Sequence, residues 1–207
     1  MVNVVEVRNL AKSFGKRRVL KDINFILRRG EMVGIVGENG SGKTTLLKTI
    51  VGLLSPSAGE IVVREKVGYC PQEMLVFETL TVHENFAYFA AAYGLRQGPG
   101  ADGWHGRESF LLSRFSFAPY RDVLVSNLSG GTRQKLNLSL AVLHEPGLLI
   151  LDEPYSGFDW ETYLHFWNYA AELKAAGACF LVVSHFLYDR SKFDTVYELR
   201  EGVLQCA

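Results

Sequence analysis

Hydrophobic and polar residues alternate from the N-terminus to Leu27, with a turn signal around Gly15. A period of two puts successive side chains on opposite faces of a strand, so this segment predicts an antiparallel β layer. Two shorter apolar runs, Met32 to Val36 and Leu148 to Leu151, predict buried strands. A further strand is predicted near Ile61 to Tyr69.

Helices are predicted between the strands. Thr81 to Tyr93 is aromatic-rich and helical, with Thr81 as the N-cap and Glu84 completing a capping box. Further helices are predicted at about Lys43 to Leu53, Arg107 to Phe115 and Asp159 to Ala176. A glycine-rich loop is predicted at Gln97 to Gly106.

Strands and helices alternate in the last third of the chain, where the final strand is predicted at Cys179 to Ser184. Such alternation indicates a parallel sheet with crossover helices. We therefore predict an α/β fold that forms a single domain over residues 1–207. Its core comprises 1–73 and 129–207, and a helical subdomain is inserted at 74–128.

Composition narrows the function classes. The formal net charge is zero, with 22 basic and 22 acidic residues, so nothing indicates a nucleic-acid partner. No apolar run approaches the roughly 18 residues that a membrane span needs, and Met1 to Leu10 lacks a signal-peptide profile. We expect a cytosolic chain that another polypeptide would hold at a membrane. Cys70, Cys179 and Cys206 form no metal or disulfide pattern, and we expect them to be reduced.

A glycine-rich segment after the strand at Met32 to Val36 fits the phosphate-binding pattern G-x-x-x-x-G-K-[ST]. Its residues are Gly37, Glu38, Asn39, Gly40, Ser41, Gly42, Lys43, Thr44 and Thr45. Glycines let backbone N–H groups converge on an anion, and the following helix adds its positive N-terminal dipole. Lys43 is expected to contact the β- and γ-phosphates of a nucleotide, and Thr44 to offer a hydroxyl to Mg²⁺. The position between a strand and a helix argues against a chance glycine-rich turn.

Two carboxylates, Asp152 and Glu153, follow the apolar strand at Leu148 to Leu151. At the carboxyl end of a strand, Asp152 can reach a Mg²⁺ ion held by Thr44. Glu153 can orient or deprotonate a water molecule. An apolar strand that ends in Asp-Glu is weak evidence by itself, and it becomes strong together with the upstream phosphate loop.

The segment Leu128-Ser129-Gly130-Gly131-Thr132 closely resembles the signature motif of ABC ATPases, and it lies between the two nucleotide motifs as in that family. Read from the residues, Ser129 caps a helix whose first N–H groups, at the two glycines, are open to an anion. The resemblance covers essentially the whole chain. It implies a P-loop NTPase core with ATP and Mg²⁺ as cofactors, and nucleotide contacts from Ser129, Gly130 and Gly131.

Other positions are similar to family residues one by one. Phe14 resembles the aromatic residue that stacks on adenine, although a core phenylalanine of the β layer is the alternative. Gln72 resembles the glutamine that joins Mg²⁺ and senses the γ-phosphate. His185 resembles the switch histidine that touches the γ-phosphate, and Ser156 to Asp159 resembles the loop that crosses the dimer interface. The resemblance therefore implies catalytic roles for Glu153, His185, Lys43 and Gln72, and metal ligation by Thr44, Gln72 and Asp152.

Three positions depart from the family pattern. Thr132 stands where glutamine is common, Tyr155 follows Glu153-Pro154, and Phe158 stands where leucine is usual. These changes leave the phosphate contacts intact and bear on the subfamily. The run Leu80-Thr81-Val82-His83-Glu84-Asn85 and the compact length are similar to stand-alone ATPases of ABC-2-type exporters.

The resemblance implies an ATP-hydrolysing subunit of an ABC transporter, with a second ABC ATPase subunit, expected to be identical, and a separate transmembrane permease as partners. It would lie on the inner face of the cell membrane. Only 22 residues follow His185, an ending that favours a minimal exporter ATPase, while import stays open. The main alternative is a soluble ABC ATPase of the cluster-assembly type. A non-hydrolysing adaptor leaves Glu153, His185 and Gln72 unexplained, and a P-loop kinase leaves the signature motif unexplained.

Overall fold

We describe the chain from a computed structural model, which covers residues 2–96, 98, 103–185 and 189–207. The residues divide into two compact units. The first unit comprises 1–72, 147–153 and 173–207, and the second comprises 73–146 and 154–172. Among the described residues, no helix has both the length and the apolar character needed to cross a bilayer.

The first unit contains a three-stranded antiparallel sheet in the order β2-β1-β4. Its strands are β1 (Asn3–Phe14), β2 (Arg17–Arg28) and β4 (Ala58–Val63). In β2 every second residue from Ile23 to Leu27 is buried, as an alternating sequence requires, whereas in β1 the consecutive residues 4–7 are all buried. The predicted antiparallel β layer is therefore present, and β4 joins it.

A six-stranded sheet also belongs to the first unit, in the order β5-β6-β7-β3-β8-β9. Its strands are β3 (Met32–Val36), β5 (Val67–Cys70), β6 (Leu148–Asp152), β7 (Cys179–Ser184), β8 (Thr195–Arg200) and β9 (Val203–Cys206). All neighbours are parallel except β8 and β9. This arrangement confirms the predicted α/β class with a parallel sheet. Because the strands are parallel, their carboxyl ends meet at one edge of the sheet.

The start of β3 is fixed by a side chain from the far end of the chain. Oδ2 of Asp194 accepts a hydrogen bond from the backbone N–H of Met32 at 2.7 Å, and Lys174 Nζ lies 2.7 Å from the same oxygen. Burial raises the pKa of Asp194, but the bonds from Lys174 and Met32 outweigh it, so the pKa lies below its usual range. The ionised carboxylate therefore stabilises the strand that leads into the phosphate loop.

Helix α1 (Lys43–Ile50) is the helix of the first unit that follows the phosphate loop. Its apolar face, with Leu46, Leu47 and Ile50, packs in the same core as the strands. The prediction that this helix continues to Leu53 is wrong. Gly52 has a φ of 80°, a left-handed conformation that ends the helix.

The second unit carries α2 (Val82–Ala92), α3 (Trp104–Arg114), α4 (Gly130–Val142) and most of α5 (Trp160–Ala175). The predicted capping box of α2 is confirmed, since Thr81 and Glu84 exchange both of its hydrogen bonds. The helix predicted at Arg107 to Phe115 begins earlier, at Trp104. Gly106 is tolerated within it, because glycine costs a helix interior only about 1 kcal/mol. The loop predicted at 97–106 is therefore wrong over 104–106, and most of its remainder lies outside the described residues.

The single strand predicted near Ile61 to Tyr69 is also wrong. The segment forms the end of β4 and most of β5, which belong to different sheets. The polar stretch 64–66 separates them, and alternation along one strand contains no information on which sheet it joins. The second unit, at 73–146 and 154–172, is wider than the predicted subdomain at 74–128. The division into a catalytic core and a helical subdomain stays a prediction.

Candidate nucleotide site

A cavity of about 410 Å³ opens in the first unit at the carboxyl edge of the six-stranded sheet. The residues that line it are Phe14, Arg17, Val19, Asn39, Gly40, Gly42, Lys43, Thr44, Thr45, Gln72, Asp152, Glu153 and His185. Most of these side chains follow the ends of β3, β5, β6 and β7. Four neighbouring strands thus deliver separate sequence motifs to one place.

The phosphate loop connects β3 to α1 through left-handed backbone at Gly40 and Gly42, with φ of 78° and 109°. Lys43 folds over this loop: its Nζ donates hydrogen bonds to the carbonyls of Gly37 at 2.6 Å and Glu38 at 2.9 Å. The Lys43 ammonium is therefore held beside the concave side of the loop, in front of the helix N-terminus.

Two loop glycines are required by close contacts. A Cβ at Gly37 would lie 2.4 Å from the carbonyl oxygen of Leu199, a distance too short for any residue other than glycine. A Cβ at Gly42 would lie 3.1 Å from Cγ1 of Val19, and the φ of 109° at this position is itself restricted to glycine. The loop is thus clamped between β8 on one side and β2 on the other.

The loop has polar groups that suit an anionic ligand. The hydroxyl of Ser41 is buried and has no hydrogen-bond partner within the described residues. A buried hydroxyl without a partner costs free energy, although Ser41 itself does not line the cavity. Burial lowers the pKa of Lys43, while the carboxylates of Glu153 and Asp152 oppose the shift. A polyphosphate would add negative charge beside this ammonium and favour its charged form.

Asp152 and Thr44 are in direct contact in the cavity. The hydroxyl of Thr44 donates to Oδ2 of Asp152 at 2.8 Å, and Asp152 is only 1% exposed. Burial raises the pKa of Asp152, and the Thr44 hydrogen bond and the Lys43 charge act in the opposite direction. A hydroxyl and a carboxylate side by side, with the Gln72 amide in the same cavity, are the oxygen donors that Mg²⁺ prefers. The donor set therefore fits this ion.

Glu153 and His185 meet at the same edge. Nε2 of His185 lies 2.7 Å from Oε1 of Glu153, and their side chains are 40% and 16% exposed. Glu153 has a φ of 52°, which is uncommon for a residue other than glycine, and its N–H donates to the carbonyl of Val183 at 2.9 Å. This conformation turns the chain sharply at the end of β6, with the Glu153 carboxylate against the imidazole.

Phe14 ends β1 at the rim of the cavity and is 49% exposed. Nζ of Lys12 lies 5.0 Å from the ring centroid, within the range of a cation–π contact. The alternative that Phe14 is a core residue of the β layer is wrong, because half of its surface is open. A partly open aromatic ring at the rim is suited to stacking on a base.

Ser129, Gly130 and Gly131 belong to the second unit and begin α4. Ser129 is the N-cap, and its Oγ accepts from the N–H of Thr132 at 3.2 Å. A Cβ at Gly131 would lie 2.6 Å from the carbonyl oxygen of Gly157, whereas one at Gly130 would meet nothing within 4 Å. The signature segment therefore packs backbone to backbone against the predicted interface loop.

The structure brings most of the residues predicted to act on nucleotide into this cavity. The six that do not line it are Gly37, Glu38 and Ser41 of the phosphate loop, and Ser129, Gly130 and Gly131 of the second unit. Two lining residues, Arg17 and Val19, were missed from the sequence. The turn around Gly15 was the available signal, since a tight hairpin there brings residues on its two sides together.

The sequence model of the ABC transporter family matches residues 20–156. The chain belongs to the ABC transporter family. This membership confirms the resemblance and the fold expected from it. The ATP-binding domains of the family are ATPases, which confirms the predicted enzyme class.

Three comparisons illustrate the similarity. The chain is 31% identical over 196 residues to the linearmycin resistance ATP-binding protein LnrL of Bacillus subtilis, covering 89% of this chain and 62% of that protein. It is 32% identical over 211 residues to the Nod factor export ATP-binding protein I of Burkholderia lata, covering 96% and 68%. A solved structure described as the ATP binding subunit of an ABC transporter shares 30% identity with a TM-score of 0.89, covering 99% and 89%. Several relatives are longer than this chain, which spans 28%, 62% and 36% of the length of three of them.

Proposed function

We propose that this chain binds and hydrolyses ATP and thereby powers an ABC transporter. One observation carries the proposal: a single cavity combines the Lys43 loop, the Thr44–Asp152 contact and the Glu153–His185 pair. Each of these supports a different part of phosphoryl transfer to water, namely phosphate binding, metal binding and water activation.

In this proposal the phosphate loop and Lys43 bind the β- and γ-phosphates. The N-terminus of α1 supplies hydrogen-bond donors and positive potential. Thr44, Asp152 and Gln72 would hold Mg²⁺, which when bound supplies positive charge to the phosphate oxygens. Phe14 stacks on the adenine at the rim. These groups favour the transition state because the charge that develops on the phosphates meets fixed positive charge.

Glu153 acts as the general base, or orients the attacking water, in the proposed reaction. Its carboxylate is mostly buried, and the hydrogen bond to His185 at 2.7 Å limits its side-chain conformations. His185 holds the carboxylate and offers a donor toward the γ-phosphate. The strained φ of Glu153 supports a functional role, because strain of this kind persists where the surrounding structure determines it.

The substitution Glu153→Gln tests this role. The amide keeps the size of the side chain and cannot accept a proton from water, so we expect loss of ATP turnover with ATP binding retained. The matched control is Glu198→Gln, an exposed glutamate on β8 of the same unit. Steady-state phosphate release and nucleotide binding are measured for both variants. Normal turnover in Glu153→Gln would remove this residue from the catalytic role.

We further propose that two chains form the complete enzyme. The open N–H groups of Gly130 and Gly131 at the start of α4 are suited to a γ-phosphate bound by a second, identical subunit. Two solved structures with this fold are described as dimeric, at 23% and 22% identity. Light scattering of Glu153→Gln should give a dimer with ATP and a monomer with ADP. A monomer under both conditions would contradict the proposal.

The transporter role requires a separate transmembrane partner on the inner face of the membrane, and we propose that it is an exporter of the ABC-2 type. Relatives named for Nod factor export and for lipopolysaccharide export support export. The cluster-assembly alternative has no support among these relatives. Co-purification of the tagged chain from detergent-solubilised membranes of its native host tests the proposal. Recovery of a stoichiometric membrane-spanning protein would support it, and an active chain in the soluble fraction alone would favour the alternative.

A further inference from the structure

Arg17 lies opposite Phe14 in the hairpin that joins β1 and β2. The two residues pair across the turn formed by Gly15, whose φ is 58°, and Lys16. Residues directly opposite each other in an antiparallel pair extend from the same face. Phe14 and Arg17 both line the nucleotide cavity, whereas Arg18, the next residue, does not.

A β-bulge fixes this hairpin against the phosphate loop. Ser13 pairs with Arg18 and Lys12 with Leu20, which leaves Val19 as an extra residue on β2. Cγ1 of Val19 would lie 3.1 Å from a Cβ placed on Gly42. The cavity wall therefore runs from Gly42 over Val19 to Arg17. Two residues of extended chain place the backbone of Arg17 about 7 Å from that of Val19, toward Phe14.

The guanidinium of Arg17 has no interaction partner in the described part of the chain. Arg17 is exposed and has no hydrogen bond, ion pair or ring contact there. The neighbouring Lys12, by contrast, donates to the carbonyl of Ser55 at 2.6 Å and lies over the Phe14 ring. A free arginine at the rim of an anion site presents a planar set of donors that matches phosphate geometry.

We propose that Arg17 binds the α-phosphate of the nucleotide. This assignment rests on the proposed ATP site, in which the base stacks on Phe14 and Lys43 binds the β- and γ-phosphates. The α-phosphate lies between these groups along the nucleotide. Arg17 is the cation at the Phe14 end of this wall, and its long side chain can reach the phosphate nearest to the base and sugar.

The test compares Arg17→Gln with Arg18→Gln, two arginines adjacent on one strand of which only the first lines the cavity. Dissociation constants of ATP, ADP and adenosine are measured by competition with a fluorescent adenine nucleotide. We expect Arg17→Gln to raise the dissociation constants of ATP and ADP by the same factor, about tenfold. That factor corresponds to the loss of one charge-assisted hydrogen bond. Adenosine affinity should not change, and Arg18→Gln should match the wild type. The loss should be smaller in high salt.

Other outcomes would overturn the assignment. Unchanged ATP and ADP affinities in Arg17→Gln would show that the guanidinium is not a ligand. Weaker binding of ATP with unchanged binding of ADP would show that Arg17 contacts the γ-phosphate instead. An equal loss of affinity for adenosine would indicate a contact with the base or sugar. Wild-type protein that binds neither nucleotide would overturn the proposed function and this assignment with it. Thermal unfolding of each variant confirms that the exposed substitution leaves the fold intact.

Discussion

The buried side chain of Asn85 should be costly to remove from the second unit. It is completely buried in the first turn of α2. Its Oδ1 accepts from the N–H of Phe77 at 2.8 Å, and its Nδ2 donates to the carbonyls of Phe77 and Thr81 at 3.0 and 2.9 Å. One amide thus fixes the loop that leads into the helix.

The loss of stability in Asn85→Ala depends on which hydrogen bonds the partners of this side chain retain. The carbonyl of Phe77 also accepts from the N–H of Leu80, and that of Thr81 from the backbone N–H of residue 85. Each carbonyl should therefore lose only about 0.5 kcal/mol, whereas the N–H of Phe77 loses its acceptor at a cost of about 2 kcal/mol. We expect a destabilisation of about 3 kcal/mol. For a chain of this length that corresponds to a fall in Tm of about 9 °C.

Urea unfolding followed by circular dichroism measures the free energy of unfolding. Asn127→Ala is the control, since Asn127 is exposed in the same unit, and it should change stability by less than about 0.5 kcal/mol. Asn85→Asp keeps the shape but turns an oxygen toward two carbonyls. It should therefore be destabilised as well, which separates hydrogen bonding from packing. A loss below about 1 kcal/mol in both Asn85 variants would refute the reasoning.

Two further predictions concern stability. Because the pKa of Asp194 is lowered in the folded state, its ionised form stabilises the protein above the unfolded pKa of about 3.9, and this contribution is lost as the pH falls through the folded pKa. Asp194→Asn should therefore be less stable than the wild type by about 1 kcal/mol at pH 7. The difference should shrink toward pH 3, and urea titrations at several pH values check this. Gly131→Ala should lower Tm because its Cβ meets the carbonyl of Gly157, whereas Gly130→Ala should leave Tm unchanged; differential scanning calorimetry of both variants is the check.

Local sequence signals predicted the parts of the fold and of the site that are local in the structure. The capping box at Thr81 and Glu84 follows from residues three positions apart, and the phosphate loop from nine consecutive residues. Both depend on backbone preferences that neighbouring residues determine. The strand at Leu148 was also predicted, because an apolar run before two carboxylates is a local pattern.

Features that depend on pairing between strands could not be predicted from local sequence patterns. The contact between Glu153 and His185 requires β6 and β7 to be neighbours in register, with Asp152 opposite Val183. The position of Arg17 depends on the bulge at Val19, which appears only when the register of both strands is known. The separation of β4 from β5 has the same cause, since a single strand does not specify its partner.

The pairing of β3 with β7 has a consequence for how the protein acquires activity. Val36 and Ser184 are paired in this ladder although about 150 residues separate them in the sequence. Contacts of such long range form late, because closing a long chain segment costs entropy before any contact is gained. The phosphate loop follows one of these strands and His185 follows the other. A partly synthesised or partly folded chain therefore has a phosphate loop without its histidine, and the onset of ATPase activity during refolding would report the completion of the central sheet.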